Sequence, residues 1–266
     1  MPEIRKILFL IPSSYLIPSG KVRVLNYLPY LRNCSIKSKV LYYHHPFIFK
    51  LSERVSPKSR ILFFLFRIFR RILRYIDFFY QRWVELRLLI SAQRYHVIMI
   101  QWEPPPIYVI HKLLRRNPNL IFDFDDAIFL NPKLNTDFLL ANSKLVIAGS
   151  QYLKDYVKSL TEHVIVIPSS IPLEKFDLHR HKSYRRQGSE TVIGWIGSQS
   201  TLHHVEILKD VFEVLGKEYT LQLKLIGIGN EKCPLSEKDN LKIETVKYYD
   251  EDEMIRYVFS FDIGIV

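Results

Sequence analysis

The stretch Val192-Ile-Gly-Trp-Ile-Gly-Ser-Gln-Ser-Thr201 constrains the fold of this chain more than any other. Apolar residues lead into Gly197 and Ser198, and a helical pattern follows Thr201. That order is a strand, a tight turn and a helix start. Such a turn can aim backbone N–H groups at an anion, where the helix dipole adds to the attraction. Any βα junction also favours small residues, and the G-x-G-x-x-G fingerprint is absent, so an ordinary junction fits as well. In either case the stretch opens a second α/β unit, because a longer alternation has already ended near Pro168.

The first alternation begins with the apolar run Ile4–Ile11. A helix is expected over Val22–Leu31, a short strand over Val40–Tyr43 and one long helical pattern over 58–92. Strands follow at Val97–Gln101, Leu120–Phe124, Leu145–Ala148 and Val164–Ile167, with helices at about Ile107–Arg116 and Gln151–Ser159. Strands that alternate with helices predict parallel sheets covered on both faces. Residues 171–190 are polar, basic and aperiodic and are expected to link the domains 1–170 and 191–266. In the second, strands are expected at 191–196, 221–226, 241–246 and 261–266, with helices at 202–215 and 250–259. The chain of 266 residues stops on a buried-strand pattern, so the second domain is expected to be incomplete.

The net charge of +11 is uneven: residues 51–94 carry ten Lys/Arg against three Asp/Glu, whereas 230–253 is rich in acids. That asymmetry favours a local anionic partner over a nucleic acid. On the long helix, Ile61, Leu65, Ile68, Ile72, Ile76, Phe79, Trp83, Leu86 and Ile90 form a stripe expected to be core. Phe63 and Phe64 are surplus to it, and Arg67, Arg70, Arg71 and Arg74 lie on another face. Aromatics beside arginines suit an anionic membrane surface, and a solvated basic face is the alternative. Cys34 and Cys233 are far apart, and the His pairs lack a third ligand at useful spacing, so no metal site is expected. With no signal peptide and no uncharged apolar run, the expected location is cytoplasmic, peripheral at the inner membrane face.

Ligands of open parallel sheets bind at the carboxyl ends of strands. In the first domain those ends bring Ser13, Ser19, Gly20, Glu103, Asp125, Asp126 and Ser150 to one edge. In the second they bring Gly197, Ser198, Thr201, Gly227, Gly229, Lys247 and Tyr248. Glu103, before three prolines, can be a general base or a solvated loop charge. Asp125 and Asp126 place two charges directly after core residues, which favours chemistry over helix capping.

Arg23-Val-Leu-Asn-Tyr-Leu-Pro-Tyr-Leu31, Phe122-Asp-Phe-Asp-Asp-Ala-Ile-Phe129, Val164-Ile-Val-Ile-Pro-Ser-Ser-Ile171, Ile193-Gly-Trp-Ile-Gly-Ser-Gln-Ser-Thr201 and Phe261-Asp-Ile-Gly-Ile265 occur in this order along the chain. Together they resemble family-4 glycosyltransferases of the GT-B fold. The resemblance implies two Rossmann-like domains, with the acceptor on the first (Ser19, Gly20, Arg23) and a nucleotide-sugar donor on the second. The acceptor would be a glycan or lipid-linked, with no cofactor and no metal. Two departures accompany it. Ser198–Thr201 lacks the basic residues that many members use on the diphosphate, and the chain stops before the family's paired-glutamate donor motif. Little transfer is therefore expected of this chain alone.

Two other readings remain. Phe122-Asp-Phe-Asp also resembles the D-x-D strand of haloacid-dehalogenase-like phosphatases, with Asp123 as nucleophile and Asp125 as acid/base. Asp126 and Ala127 replace the Gly and Thr of that pattern. A non-catalytic, membrane-associated remnant is the third reading.

Overall fold

The computed structural model describes residues 5–13, 18–45, 60–131, 135–180, 190–198, 201–228, 233, 235–237 and 240–265; of 60–66 and 178–180 it describes the backbone alone. The chain divides into two compact units, Met1–Ile171 and Pro172–Val266.

The first unit contains β1 (Lys6–Ile11), α1 (Pro18–Arg23), α2 (Leu28–Asn33), β2 (Lys37–Tyr42), α3 (Arg60–Ser91), β3 (Val97–Gln101), α4 (Ile107–Arg116), β4 (Leu120–Phe124), α5 (Thr136–Asn142), β5 (Leu145–Ala148), α6 (Gln151–Val157) and β6 (Val164–Val166). Its strands form a six-stranded sheet in the order β2-β1-β3-β4-β5-β6, every pair parallel. The second unit contains α7 (Leu173–Arg180), β7 (Thr191–Ile196), α8 (His203–Glu206), α9 (Lys209–Leu215), β8 (Leu221–Ile226), β9 (Leu241–Val246), α10 (Glu251–Phe259) and β10 (Ile263–Ile265). Its sheet runs β10-β7-β8-β9, again all parallel. The fold class is therefore α/β, with two Rossmann-like parallel-sheet units.

Strand alternation sorts the first sheet into two faces. Leu8, Leu10, Ile98, Ile100, Phe122 and Phe124 pack with Val84, Leu88, Val109, Leu113 and Leu139 from the helices, in one buried cluster. Phe9, Ile11 and Val24 form a smaller cluster with Leu28 and Leu31 on the other face. Asp123, between the two phenylalanines, must therefore point toward α1. In the second unit Ile193, Trp195, Leu223 and Leu225 pack with Val205 and Phe212. Asp250 starts α10 as a full capping box: its side chain accepts from Glu253 N, and the Glu253 side chain accepts from Asp250 N.

The structure corrects several expectations. The helix expected over Val22–Leu31 is broken into α1, a 3₁₀ turn over Leu25–Tyr27, and α2. Pro29 has no N–H and its ring would strike a carbonyl one turn back, so the helix restarts with Pro29 in its first turn. The helix expected over 202–215 is likewise in two pieces, α8 and α9. Residues 171–190 are not a bare linker. They hold α7, which belongs to the second unit and meets α10 through Lys175 Nζ to Glu251 Oε2 at 2.6 Å and Phe176 against Phe259.

The largest correction concerns α3. The stripe from Ile68 to Ile90 is exposed, with Phe79 at 68% and Leu86 at 56%. Leu73, Asp77, Val84, Glu85 and Leu88 are buried instead. Both acids have partners on the sheet side: Asp77 meets His44, and Glu85 accepts from Tyr43 Oη and Tyr108 Oη, each at 2.9 Å. Those bonds orient the helix, because either carboxylate would lose its partner if the apolar stripe turned inward.

Candidate functional site

In the first unit, the carboxyl ends of β3, β4, β5 and β6 bring together Gln101–Glu103, Asp123–Asp126, Gly149 and Ser169. Arg23 reaches Asp123 from α1, with Nε to Oδ2 at 2.7 Å and Nη2 to Oδ1 at 2.5 Å. Both side chains are almost fully buried. Burial alone would lower the Arg23 pKa, but the bonds to Asp123 raise it, so the guanidinium stays charged. Burial pushes the Asp123 carboxyl up, and the bonds from Arg23 pull against it. This geometry corrects two sequence-based roles. Arg23 is committed to Asp123 and is not free for an acceptor. Asp123 has both oxygens in a bidentate pair, so it is no free nucleophile for a phosphatase-type reaction.

Asp125 is different. One oxygen, Oδ1, is buried without a hydrogen-bond partner, and Oδ2 accepts from Ser169 Oγ only at 3.4 Å. Ser169 Oγ in turn accepts from Arg23 Nη1 at 3.3 Å. Burial first, and then the neighbouring Asp126 charge, raise the Asp125 pKa. A half-buried carboxylate with an unused oxygen and increased basicity has the properties of a general base. Gly149 makes room for it: a Cβ there would lie 2.8 Å from Asp125 Cα and Cβ. Asp126 is exposed and accepts from Trp102 Nε1 at 3.0 Å. Trp102 has φ of +67°, a left-handed conformation that is strained for a bulky residue and is held by its N–H bond to Asp123 O at 2.8 Å.

Glu103 is not a free base. Its Oε2 meets His44 Nε2 at 2.7 Å, and His44 Nδ1 meets Asp77 Oδ2 at 2.8 Å. Burial alone would lower the His44 pKa, but bonds to the two carboxylates raise it to about 9. The imidazolium thus straps the β3 exit to α3. A folded-state pKa above the ordinary 6.5 contributes stability that is complete below 6.5 and lost as pH rises through about 9. Urea unfolding followed at about pH 7 and about pH 10 should show this loss, and His44→Gln should reduce the difference between the two. An equal difference in wild type and variant would remove the strap.

Ser19 Oγ accepts from Gln101 Nε2 at 3.0 Å, while Gln101 Oε1 is buried with no hydrogen-bond partner. Gly20 is buried below, where a Cβ would find ordinary contacts at 3.6 Å. Sequence reasoning missed Gln101, Gly149 and Ser169. Their only signal was position, each at or just beyond the end of a strand.

In the second unit, Gly197 and Gly227 lie back to back at the ends of β7 and β8. Gly227 has φ of +90°, and a Cβ on it would come 2.3 Å from Gly197 O. Only glycine combines that φ with that approach. The turn after β7 closes on itself: Gly197 N donates to Ile226 O at 3.1 Å, and Ser198 N to Thr201 Oγ1 at 3.2 Å. The helix beyond it, α8, is four residues long. This corrects the expected anion cradle, since both N–H groups have acceptors and a four-residue helix has little dipole. Lys247 and Tyr248 are exposed after β9, and Tyr249 packs toward Gly227. Gly229 lies outside the described residues. Among the described residues no group of three His, Cys, Asp or Glu is placed to hold a metal ion.

The fold is similar to those of solved glycosyltransferases and of a protein described as an epimerase. A glycosyltransferase from Rickettsia africae ESF-5 superposes with a TM-score of 0.59 at 12% identity, over 98% of this chain and 72% of that one. An alpha-glucosyltransferase in complex with UDP-glucose and DNA containing an abasic site gives 0.55 at 13% identity, over 98% and 72%. A Listeria monocytogenes protein described as a UDP-N-acetylglucosamine 2-epimerase gives 0.53 at 7% identity, over 96% and 72%. At such identities the likeness establishes the fold. No protein-family model and no curated protein matches the sequence.

Proposed function

We propose that this chain is a glycosyltransferase, similar to family 4, that takes a hexose from a nucleoside-diphosphate sugar and passes it to a hydroxyl of a glycan or lipid-linked acceptor. The donor is assigned to the second unit, at Gly197, Ser198, Thr201, Gly227, Lys247 and Tyr248. The acceptor is assigned to the first, beside Asp125. The observation that carries this reading is the unpartnered buried oxygen of Asp125 at a strand-end edge of a GT-B-type fold. Support for the donor class comes from the bound UDP and UDP-glucose of proteins with this fold.

In this reading the chemistry is a displacement at the anomeric carbon. The acceptor hydroxyl gives its proton to the Asp125 carboxylate and its oxygen bonds to the anomeric carbon. The bond from that carbon to the diphosphate breaks, and the nucleoside diphosphate leaves with the electron pair. Negative charge accumulates on the leaving group, so fixed donors around it stabilise the transition state more than the ground state. In this reading the hydroxyls of Ser198 and Thr201 and the Lys247 ammonium take that part, with no metal.

Radiolabelled UDP-sugars incubated with the protein and a panel of glycan and lipid-linked acceptors test the reading. Expected is slow appearance of label in the acceptor, with UDP released in equal amount. Epimerised free UDP-sugar with no labelled acceptor would move the assignment to the epimerase reaction. Consumption of none of the sugars would remove the enzymatic reading.

A further inference from the structure

Helix α3 has two apolar faces, and the second is exposed along its described residues. Leu73, Val84 and Leu88 are buried, the last two packed in the core of the first unit. Ile72, Ile76, Phe79, Trp83, Leu86 and Ile90 are each between 47% and 68% exposed. At 3.6 residues per turn these six lie within about 80° of arc and extend about 27 Å along the axis. Their stripe is more than a third of a turn away from the buried face.

The charges beside the stripe have one sign. Asp77 and Glu85 are the acids of α3, and both are buried and paired. Arg71 is exposed about 60° beyond one edge of the stripe and Arg67 about 100° beyond it, while Arg74 points nearly opposite the stripe. On the other border Arg87 is exposed, its guanidinium 4.7 Å from the centre of the Trp83 ring. An arginine over a tryptophan beside aliphatic side chains suits a bilayer headgroup region, where the ring anchors and the cation meets phosphate. A second copy of the helix would add arginines of the same sign with no exposed acid of α3 to offset them, which is unfavourable. The face opposite the stripe is packed on the sheet, so lipid cannot surround this helix.

We propose that α3 docks the protein on an anionic lipid bilayer, lying in the plane of the interface with the Ile72–Ile90 stripe at the acyl boundary and the arginines at the headgroups. The stripe takes the part that the sequence suggested for Phe63 and Phe64, whose side chains lie outside the described residues. This surface does not depend on which reaction the strand-end residues perform.

Cosedimentation of the full chain with vesicles tests it without reading any activity, so its failure leaves the transfer reading untouched. Expected is binding to phosphatidylglycerol–phosphatidylcholine vesicles at low salt, weakened by added salt and absent with phosphatidylcholine alone. The triple variant Arg67→Gln/Arg71→Gln/Arg87→Gln should bind about a hundredfold more weakly. The variant Ile72→Ser/Phe79→Ser/Leu86→Ser should bind at least about tenfold more weakly at unchanged helical circular dichroism. All six positions are exposed, so folding should survive in both. Unchanged binding in both variants would overturn the proposal. So would a wild-type dimer in sedimentation velocity that the serine variant abolishes, or no binding to either vesicle.

Discussion

Replacing Asp125 with Asn lowers the rate of sugar transfer by about 10²- to 10⁴-fold, the usual effect of losing a general base. The fold should not suffer. Asp125 Oδ1 has no hydrogen-bond partner and burial already disfavours its charge, so removing that charge leaves stability equal or higher. A rate loss without a stability loss separates chemistry from scaffolding. Asp126→Asn, by contrast, should lose less than about tenfold, because the exposed Asp126 carboxylate is occupied by Trp102 Nε1 and an Asn oxygen can still accept from it. Gly149→Ala should imitate Asp125→Asn without changing any charge, since its Cβ would press on Asp125 at 2.8 Å. Steady-state transfer kinetics beside thermal melts read all three. An Asp125→Asn rate within about tenfold of wild type would make the carboxylate structural.

Arg23→Met is the substitution with the largest effect expected on stability. It leaves Asp123, 1% exposed, without the partner of both its oxygens. Breaking one side of a buried ion pair costs about 3–5 kcal/mol. The double variant Arg23→Met/Asp123→Leu should recover most of that loss, because two apolar side chains of similar volume replace the pair without leaving a charge. Native-state hydrogen exchange of the β4 amides measures the difference within the first unit itself. Equal protection in wild type and Arg23→Met would mean that the pair contributes nothing.

The sequence disclosed continuous patterns and concealed pairings. β3, β4, β5, β7, β8 and β9 have the expected bounds, since short apolar runs closed by turn residues admit few other readings. The length of α3 was legible for the same reason. Its orientation was not, because two apolar faces compete and the choice rests on Asp77 and Glu85 finding partners in His44, Tyr43 and Tyr108. Asp125 and Asp126 could be placed from the strand that precedes them. The difference between Asp123 and Asp125 could not, because it depends on Arg23, a hundred residues away along the chain from Asp123. Glu103 looked available for the same reason: its His44 partner is 59 residues distant. At Gly197 the glycine was legible as a turn, but its close approach to Gly227 exists only once β7 and β8 pair.

The most direct test of the account is calorimetric titration of UDP into the full chain and into its Ser198→Asp variant. Ser198 is the better position for an added charge, because a Cβ at Gly197 would strike the Trp195 ring, whereas Ser198 is exposed at the β7 end. A donor diphosphate at that end should be repelled by the new carboxylate. The account predicts that UDP binds the wild type and that Ser198→Asp weakens it by about tenfold or more. Equal affinity in the two proteins, or no heat of binding from the wild type, would contradict it.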